Sequence, residues 1–347
     1  MKEYFMLSKF KNSDECLIIA EVGQNHQGDL ELAREYIKVF AAEGADVIKF
    51  QTRNNKYLFS KEAYEAKYNS DNAFADFYGE HREKLELKKD WLPILKEDCI
   101  KNNVLFMSTP FDEPSFKLLQ DIGVDLIKVA SFDLGNLPFL DKLASSHIPI
   151  VMSIGGGNEE QIQSSVDVIT KYHQELAILH CVSEYPCEYN RLGLGNIKTL
   201  IGRFPDLAIG SSDHFSGTLS GPVAFMQGAR VFEKHVTLNR AWRGTDHSFA
   251  LEPNGFKHFV RDIKRVTPML PLKPSDDLGN EPVFKKLGKS LIASKDIKQN
   301  DEFTFDNLSG RIFSEQYVPV RKSGLFIGKK SNRDITAGEK LSLDDCC

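Results

Sequence analysis

Short runs of β-branched and aliphatic residues alternate along the chain with longer stretches whose apolar positions recur at helical spacing. The first run, residues 17–22 (Leu-Ile-Ile-Ala-Glu-Val), is bounded by Gly23. Asp29 then stands as an N-cap before the apolar positions Leu30, Ala33, Tyr36, Ile37, Phe40 and Ala41, and the pattern stops at Gly44. Seven more strand-like runs follow at residues 46–51, 104–108, 125–131, 149–153, 176–181, 207–212 and 231–236. Helical patterns separate them at 90–101, 113–122, 136–145, 159–172, 194–204 and 219–228, and a last one covers 256–266. Eight strand-then-helix units in about 250 residues predict an α/β protein built as a (β/α)8 TIM barrel. The runs are apolar throughout, as expected of strands buried on both faces. A doubly wound open sheet shares this alternation and is the competing architecture.

Two segments break the pattern. Residues 54–87, after the second strand, are aromatic and charged, and are expected to extend over the active face of a barrel. After Val266, Pro268, Pro271, Pro274, Asp276, Asp277 and Pro282 crowd a stretch with neither helical nor strand period, which reads as a linker. Strand-like pieces then recur at 290–293, 302–305, 326–327 and 340–343. Two phrases within 293–302 and 333–339 share the pattern Asp-Ile-x-x-(Gly/Asn)-(Asp/Glu), an internal pseudo-repeat. The expected organisation is a barrel over 1–267, a linker over 268–286 and a small, mostly β module over 287–347. A module of about 60 residues has a thin core and is expected to dock on a barrel or a second subunit.

Composition narrows the function. The 347 residues are 41% hydrophobic and 27% charged, as in an ordinary globular protein. The formal net charge of −5 argues against a nucleic-acid binder but leaves room for a basic pocket that takes a small anion. No apolar run approaches the roughly 18 residues that span a bilayer, so no membrane partner is expected. Residues 1–11 lack the features of a signal peptide, and the six cysteines (16, 99, 181, 187, 346 and 347) show no spaced framework. Both point to a reduced, cytoplasmic protein. The Cys346–Cys347 pair reads as an exposed chain end rather than a chelate.

In a barrel, chemistry collects where strands end. The strand ends here carry Glu21; Lys49 and Gln51; Ser108 and Thr109; Lys128, Ser131 and Asp133; Ser153 before Gly155-Gly-Gly157; His180, Ser183 and Tyr185; Ser211 to His214; and Glu233 to His235. Lys49 and Lys128 lie inside apolar strands, where an uncompensated ammonium is costly to bury. An anionic substrate would offset that cost, and neighbouring hydroxyls suit phosphate oxygens. The plainer alternative pairs Lys49 with Glu21 and Lys128 with Asp133 as structural ion pairs. His214 and His235 end consecutive strands, where two imidazoles, water and a substrate oxygen suit Mn²⁺, Fe²⁺ or zinc. Hydrogen-bonded core histidines are the alternative. The triple glycine could admit a phosphate to backbone N–H groups, or simply make a tight turn.

Several phrases together resemble the sialic acid synthase family. They are 19–28 (Ile-Ala-Glu-Val-Gly-Gln-Asn-His-Gln-Gly), 44–51 (Gly-Ala-Asp-Val-Ile-Lys-Phe-Gln), 108–111 (Ser-Thr-Pro-Phe) and 127–131 (Ile-Lys-Val-Ala-Ser). Further matches are 179–186 (Leu-His-Cys-Val-Ser-Glu-Tyr-Pro), 210–214 (Gly-Ser-Ser-Asp-His), 233–235 (Glu-Lys-His) and 244–253 (Gly-Thr-Asp-His-Ser-Phe-Ala-Leu-Glu-Pro). The phrase 288–297 resembles that family's antifreeze-like (SAF) domain.

The resemblance implies a barrel enzyme that condenses phosphoenolpyruvate with an N-acylated aldose to a 2-keto-3-deoxy acid and phosphate, with C–O cleavage. The same condensation on a phosphorylated or non-acylated aldose, or a non-catalytic sugar-acid binder, are the alternatives. It implies Lys49, Thr109, Lys128, Ser131, Ser153, Ser183 and Ser212 on phosphoenolpyruvate, and Gln51, Asp133, Tyr185, Asp246 and Arg311 on the sugar. It further implies Glu21 as acid/base, and His214 and His235 on a divalent metal, Mn²⁺ first, with Mg²⁺, Co²⁺ or Fe²⁺ as alternatives. A domain-swapped homodimer is the implied assembly. The chain departs from the family at Asp133, where some members carry Glu, at Ser183, where some carry Asn, and at Ile154, where Thr is common. Arg311 sits in Gly-Arg-Ile-Phe-Ser rather than the family's Arg-Pro-Gly.

Overall fold

Eight parallel strands pair in chain order and close on themselves: β1 (Leu17–Gly23), β2 (Val47–Thr52), β3 (Leu105–Pro110), β4 (Leu126–Val129), β5 (Ile150–Ser153), β6 (Leu176–Cys181), β7 (Ala208–Asp213) and β8 (Val231–His235). β8 returns to β1 with Leu17 opposite Val231 and Glu21 opposite His235. The sheet is therefore the barrel and not the open alternative. The computed structural model describes residues 6–277 and 279–346, so residues 1–5 and Cys347, half of the terminal cysteine pair, lie outside the described residues. The chain divides into two units, the first running to Leu270 and the second starting at Pro271. No helix among the described residues is long and apolar enough to cross a membrane.

Side chains alternate along each strand, and the two faces have different jobs. Ile18, Ala20, Ile48, Phe50, Phe106, Ile127, Ile178, Ile209 and Phe232 belong to one large apolar cluster with the surrounding helices. The helix Leu30–Ala42 shows how: Asp29 accepts from the Leu32 N–H at its start, and Ala33, Tyr36, Ile37 and Phe40 form its buried stripe. The alternate positions Leu17, Ile19, Val47, Met107, Leu126, Val151, Ala177, Leu179, Ala208 and Val231 form a second cluster, joined by Leu7 and Phe10 of the 3-10 turn Leu7–Phe10. That cluster fills the barrel interior toward the N-terminal ends of the strands. Gly210 occupies one of these inward positions. A Cβ there would stand 2.0 Å from the Val231 carbonyl oxygen and 2.6 Å from Leu179 Cδ2, so only glycine fits.

The segment after β2 carries short helices, Asn55–Leu58, Lys61–Tyr64 and Tyr78–Leu85. It is held close to neighbouring loops, two contacts showing how. The Gly28 backbone, at φ +70°, lies so close that a Cβ would sit 2.1 Å from the Lys84 carbonyl oxygen, and Asn72 Oδ1 accepts the Gly244 N–H at 3.1 Å.

The stretch expected to lack periodic structure behaves differently. The last barrel helix, Pro253–Met269, runs past the expected end and includes Pro268, and Pro282–Leu287 is a second helix. Pro268 sits in the exposed last turn of a helix whose preceding turns are held by buried Phe256, Phe259, Val260 and Ile263, while Pro282 takes the first helical position.

The second unit has an antiparallel pair, β9 (Ser290–Ala293) and β10 (Leu308–Arg311), over a core of Leu291, Ala293, Ile297, Phe303, Phe326, Ile335 and Leu341. The expected strands at 302–305 and 340–343 are reduced to single bridges at Glu302 and Lys340, and 326–327 follows the 3-10 helix Val320–Leu325. Phe303 and Phe326 are core residues in turns, meeting edge-to-face, which explains their strand-like hydrophobicity. The two repeated phrases face each other. Ile297 and Ile335 exchange both backbone hydrogen bonds at 2.8 Å, Asp296 accepts the Ala337 N–H, and Asp334 accepts the Gln299 N–H. Each aspartate thus holds the residue three places after its counterpart.

Candidate active site

Toward the C-terminal ends of the strands, the inward positions change character: Ile19 gives way to Glu21, Val47 to Lys49, Met107 to Thr109, Leu126 to Lys128, Val151 to Ser153, and Val231 to Glu233 and His235. They open into a cavity of about 530 Å³, well within the range of small-molecule sites. Of the residues proposed from the sequence, Glu21, Lys49, Gln51, Thr109, Lys128, Ser131, Ser153, Tyr185, Ser212, His214, His235 and Asp246 line it. Asp133 and Ser183 are not on its wall. Asp133 accepts from Asn136 Nδ2 at 3.1 Å as part of a tight turn, and Ser183 Oγ lies beside Gly155, 2.5 Å from where a Cβ would stand. Arg311 belongs to the second unit, at the end of β10.

The charges are packed tightly. Lys49 Nζ lies 2.7 Å from Glu21 Oε2 and 3.7 Å from Glu233 Oε1, so the ion pair read as a structural alternative exists inside the cavity wall. Lys128 does not pair with Asp133. Its ammonium donates to Ser153 Oγ at 2.7 Å and to the Val129 carbonyl at 2.9 Å, because its side chain points inward while the turn carries Asp133 away. Ser212 Oγ donates to Glu233 Oε1 at 3.1 Å, and Gln51 Nε2 donates to Glu21 Oε1 at 2.8 Å. The Gly155 N–H donates to Ser131 Oγ at 3.0 Å, so the triple glycine makes a turn that orients a hydroxyl.

Burial and neighbours separate the two carboxyls. Burial pushes Glu21 up, the nearby Glu233 charge adds to this and Lys49 opposes it, leaving Glu21 at about 7. Burial acts on Glu233 in the same sense, but Lys128, Lys49 and His235 outweigh it and hold Glu233 below the usual carboxylate range. Burial and neighbours thus push the two carboxyls in opposite directions, the kind of separation that acid/base chemistry uses. Burial likewise lowers Lys128.

The His214 and His235 rings are 5.3 Å apart between centroids, with the Tyr185 ring 3.9 Å from His214. His214 Nδ1 lies 2.8 Å from the Val182 carbonyl, which can only accept, so the proton sits on Nδ1 and the Nε2 lone pair is left for another partner. His235 Nδ1 is buried without a hydrogen bond, 3.9 Å from Asp246 Oδ2. Burial lowers the pKa of both rings, which favours the neutral form that binds metals. The pair fits a divalent ion held by two protein ligands. No group of three or more His, Cys, Asp or Glu is arranged for a metal among the described residues.

Several wall residues received no role from the sequence: Glu233, Arg53, Arg82, Asn72, Gln24 and Thr245. Two had a signal. Glu233 is two residues before His235 on one strand, and Arg53 is two residues beyond Gln51, so each shares a face with its partner. Arg82 and Asn72 come from the segment after β2, whose pattern gives no facing direction.

The NeuB family pattern matches residues 36–273. Over 320 residues the chain is 33% identical to the N-acetylneuraminate-9-phosphate synthase of Homo sapiens, covering 91% of this chain and 88% of that protein. It is 35% identical over 331 residues to the N,N'-diacetyllegionaminic acid synthase of Campylobacter jejuni, covering 94% of this chain and 98% of that protein. Among solved structures it resembles the N-acetylneuraminic acid (sialic acid) synthetase of Leptospira borgpetersenii in complex with citrate. The TM-score is 0.67 and the identity 32%, over 77% of this chain and 90% of that one.

Proposed function

Because the chain belongs to the NeuB family, we propose that it is a nonulosonic acid synthase, joining phosphoenolpyruvate to an N-acylated aldose with release of phosphate. The observation that carries this reading is the pairing of two buried ammonium groups with buried hydroxyls on adjacent strands, Lys49 with Thr109 and Lys128 with Ser153. Such a wall fits a small, highly anionic molecule and has no use for a neutral one.

Lys128 and Lys49, with the hydroxyls of Thr109, Ser131, Ser153 and Ser212, bind the carboxylate and phosphate of phosphoenolpyruvate. Gln51, Tyr185 and Asp246 position the aldose. His214 and His235 would hold a divalent ion, Mn²⁺ first, which when bound supplies Lewis-acid polarisation of the aldehyde. The enol carbon C3 bonds to the aldehyde carbon, whose oxygen gains a proton and becomes a hydroxyl, and water adds at C2. Glu21 takes that water's proton, for which its elevated pKa suits it near neutral pH. The C2–O bond to phosphorus then breaks, leaving the 2-keto acid and inorganic phosphate. The second unit is read as an antifreeze-like (SAF) module and the assembly as a homodimer, which light scattering at micromolar concentration tests.

The deciding experiment is phosphate release from phosphoenolpyruvate across a panel of N-acetylated and diacetamido aldoses, with and without Mn²⁺. Sugar- and metal-dependent release is expected. Absence of both release and phosphoenolpyruvate binding would overturn the reading.

A further inference from the structure

The strands that carry the two histidines are also joined on their other side. Glu233 and His235 face the cavity, so alternation sends Lys234, between them, outward toward the helices. That layer is apolar: the Phe232 ring packs 6.4 Å from Phe259 of the helix Pro253–Met269 and 6.4 Å from Phe225. Lys234 nonetheless places an ammonium there, 1% exposed at its side chain, with Nζ 5.8 Å from the Phe259 ring centre and 5.7 Å from that of Phe215. Nζ pairs with Asp213 Oδ1 at 2.5 Å and donates to the Phe215 carbonyl. Asp213 stands opposite Lys234 in the β7–β8 ladder, and its Oδ1 also accepts the Phe215 N–H at 2.8 Å. One ammonium therefore holds the residues on either side of His214, and it belongs to the residue next to His235.

A buried ion pair is an inefficient way to stabilise a strand–helix layer, since apolar side chains of similar volume serve as well or better. What it supplies and they do not is direction, because an ammonium needs its acceptors at fixed places. Here the acceptors are the carboxylate that ends β7 and a carbonyl two residues on. Holding both closes the turn around His214 and sets where its ring emerges relative to His235. The Val182 carbonyl fixes the rotation of that ring, but not the course of the backbone that carries it. We propose that Lys234 and Asp213 are positioning residues, a clamp behind the barrel wall that holds His214 and His235 at the separation a divalent ion requires. The 5.3 Å between the ring centres is then set before any ion arrives. The inference rests on the reading of these histidines as metal ligands, and neither clamp residue lines the cavity.

The test separates placement from stability by Mn²⁺ titration and thermal melting, both without substrate, on the wild type, Lys234→Met, and the double variant Lys234→Met with Asp213→Asn. The single variant leaves a carboxylate buried without its cation, so it should melt well below the wild type. The double variant has no charge left there, and the amide oxygen it introduces can still accept the Phe215 N–H. It should melt within a few degrees of the wild type yet bind Mn²⁺ about 10–100-fold more weakly, the usual cost of removing a group that orients a metal ligand. Its affinity for phosphoenolpyruvate, measured without metal, should be unchanged, because Lys49 and Lys128 come from β2 and β4. Wild-type Mn²⁺ affinity in a stable double variant overturns the clamp. A double variant that fails to fold or melts far below the wild type overturns it too, by making the pair a prop of the fold. Mn²⁺ and phosphoenolpyruvate affinities that fall together overturn it by showing general damage to the barrel mouth. No Mn²⁺ binding by the wild type sinks the two-histidine reading first, and the clamp with it.

Discussion

The two halves of the barrel interior are made from the same eight strands and the same alternation of side chains, yet they are chemically opposite. In the N-terminal half Leu17, Ile19, Val47, Met107, Leu126, Val151 and Val231 pack into a dry plug. Two residues further along the same faces, Glu21, Lys49, Lys128 and Glu233 are each no more than 5% exposed, with charges that must answer one another. The plug can be built from any apolar side chains of the right volume, because dispersion and burial are non-directional. The charged half cannot, since each buried charge depends on specific neighbours. Stability and activity should therefore separate along single strands.

The largest effect is expected from His214→Ala or His235→Ala, which should abolish Mn²⁺-dependent phosphate release; unchanged metal response in either variant removes the pair from the site. On β4 the comparison can be made within two residues. Lys128→Met should lower kcat/KM for phosphoenolpyruvate by about 10²–10³-fold, the cost of losing one well-placed donor. Leu126→Ala should destabilise the fold by about 2–5 kcal/mol in denaturant titration and leave the phosphoenolpyruvate KM unchanged. If Leu126→Ala raised that KM as Lys128→Met does, the separation would be broken.

The smallest effect is a slope with pH. Burial holds His26 at about 3, and His81 and His247 at about 4, below the ordinary value near 6.5. The unfolded chain thus binds more protons than the folded one between those values. Their contribution is fully present above pH 6.5 and is lost as pH falls toward 4, so Tm should decline steadily from pH 7 to pH 5. A flat profile over that interval would mean these rings are not desolvated.

How much of this was legible in the sequence depended on whether a residue sat in a periodic element. Glu21, Lys49, Lys128 and His235 lie on strands, where period two assigns a face once the strand is recognised. Arg82 and Asn72 sit in the segment after β2, and nothing local tells which way they point; only the contacts at Gly28 and Gly244 do. Asp133 and Ser183 follow strands directly but lie in turns, where a one-residue change of direction takes a side chain off the wall. Pro268 misled because proline's cost depends on position within a helix, and here it stands in the exposed terminal turn of a helix held by packing in its preceding turns. β10 reads Leu-Ser-Gly-Arg, too polar to show, and exists because β9 offers it a partner.

The fastening of the segment after β2 has a kinetic side. With Lys84 seated over Gly28, Asn72 bound to the Gly244 N–H and Glu86 gripping Arg53, its conformational entropy is surrendered when the chain folds. A ligand arriving at this wall meets donors already in position, so little of its binding energy is diverted to ordering protein. Encounter then depends on diffusion and charge rather than on waiting for a rare arrangement. Amide exchange across residues 54–87 should be slow before any ligand is added and little slower afterwards.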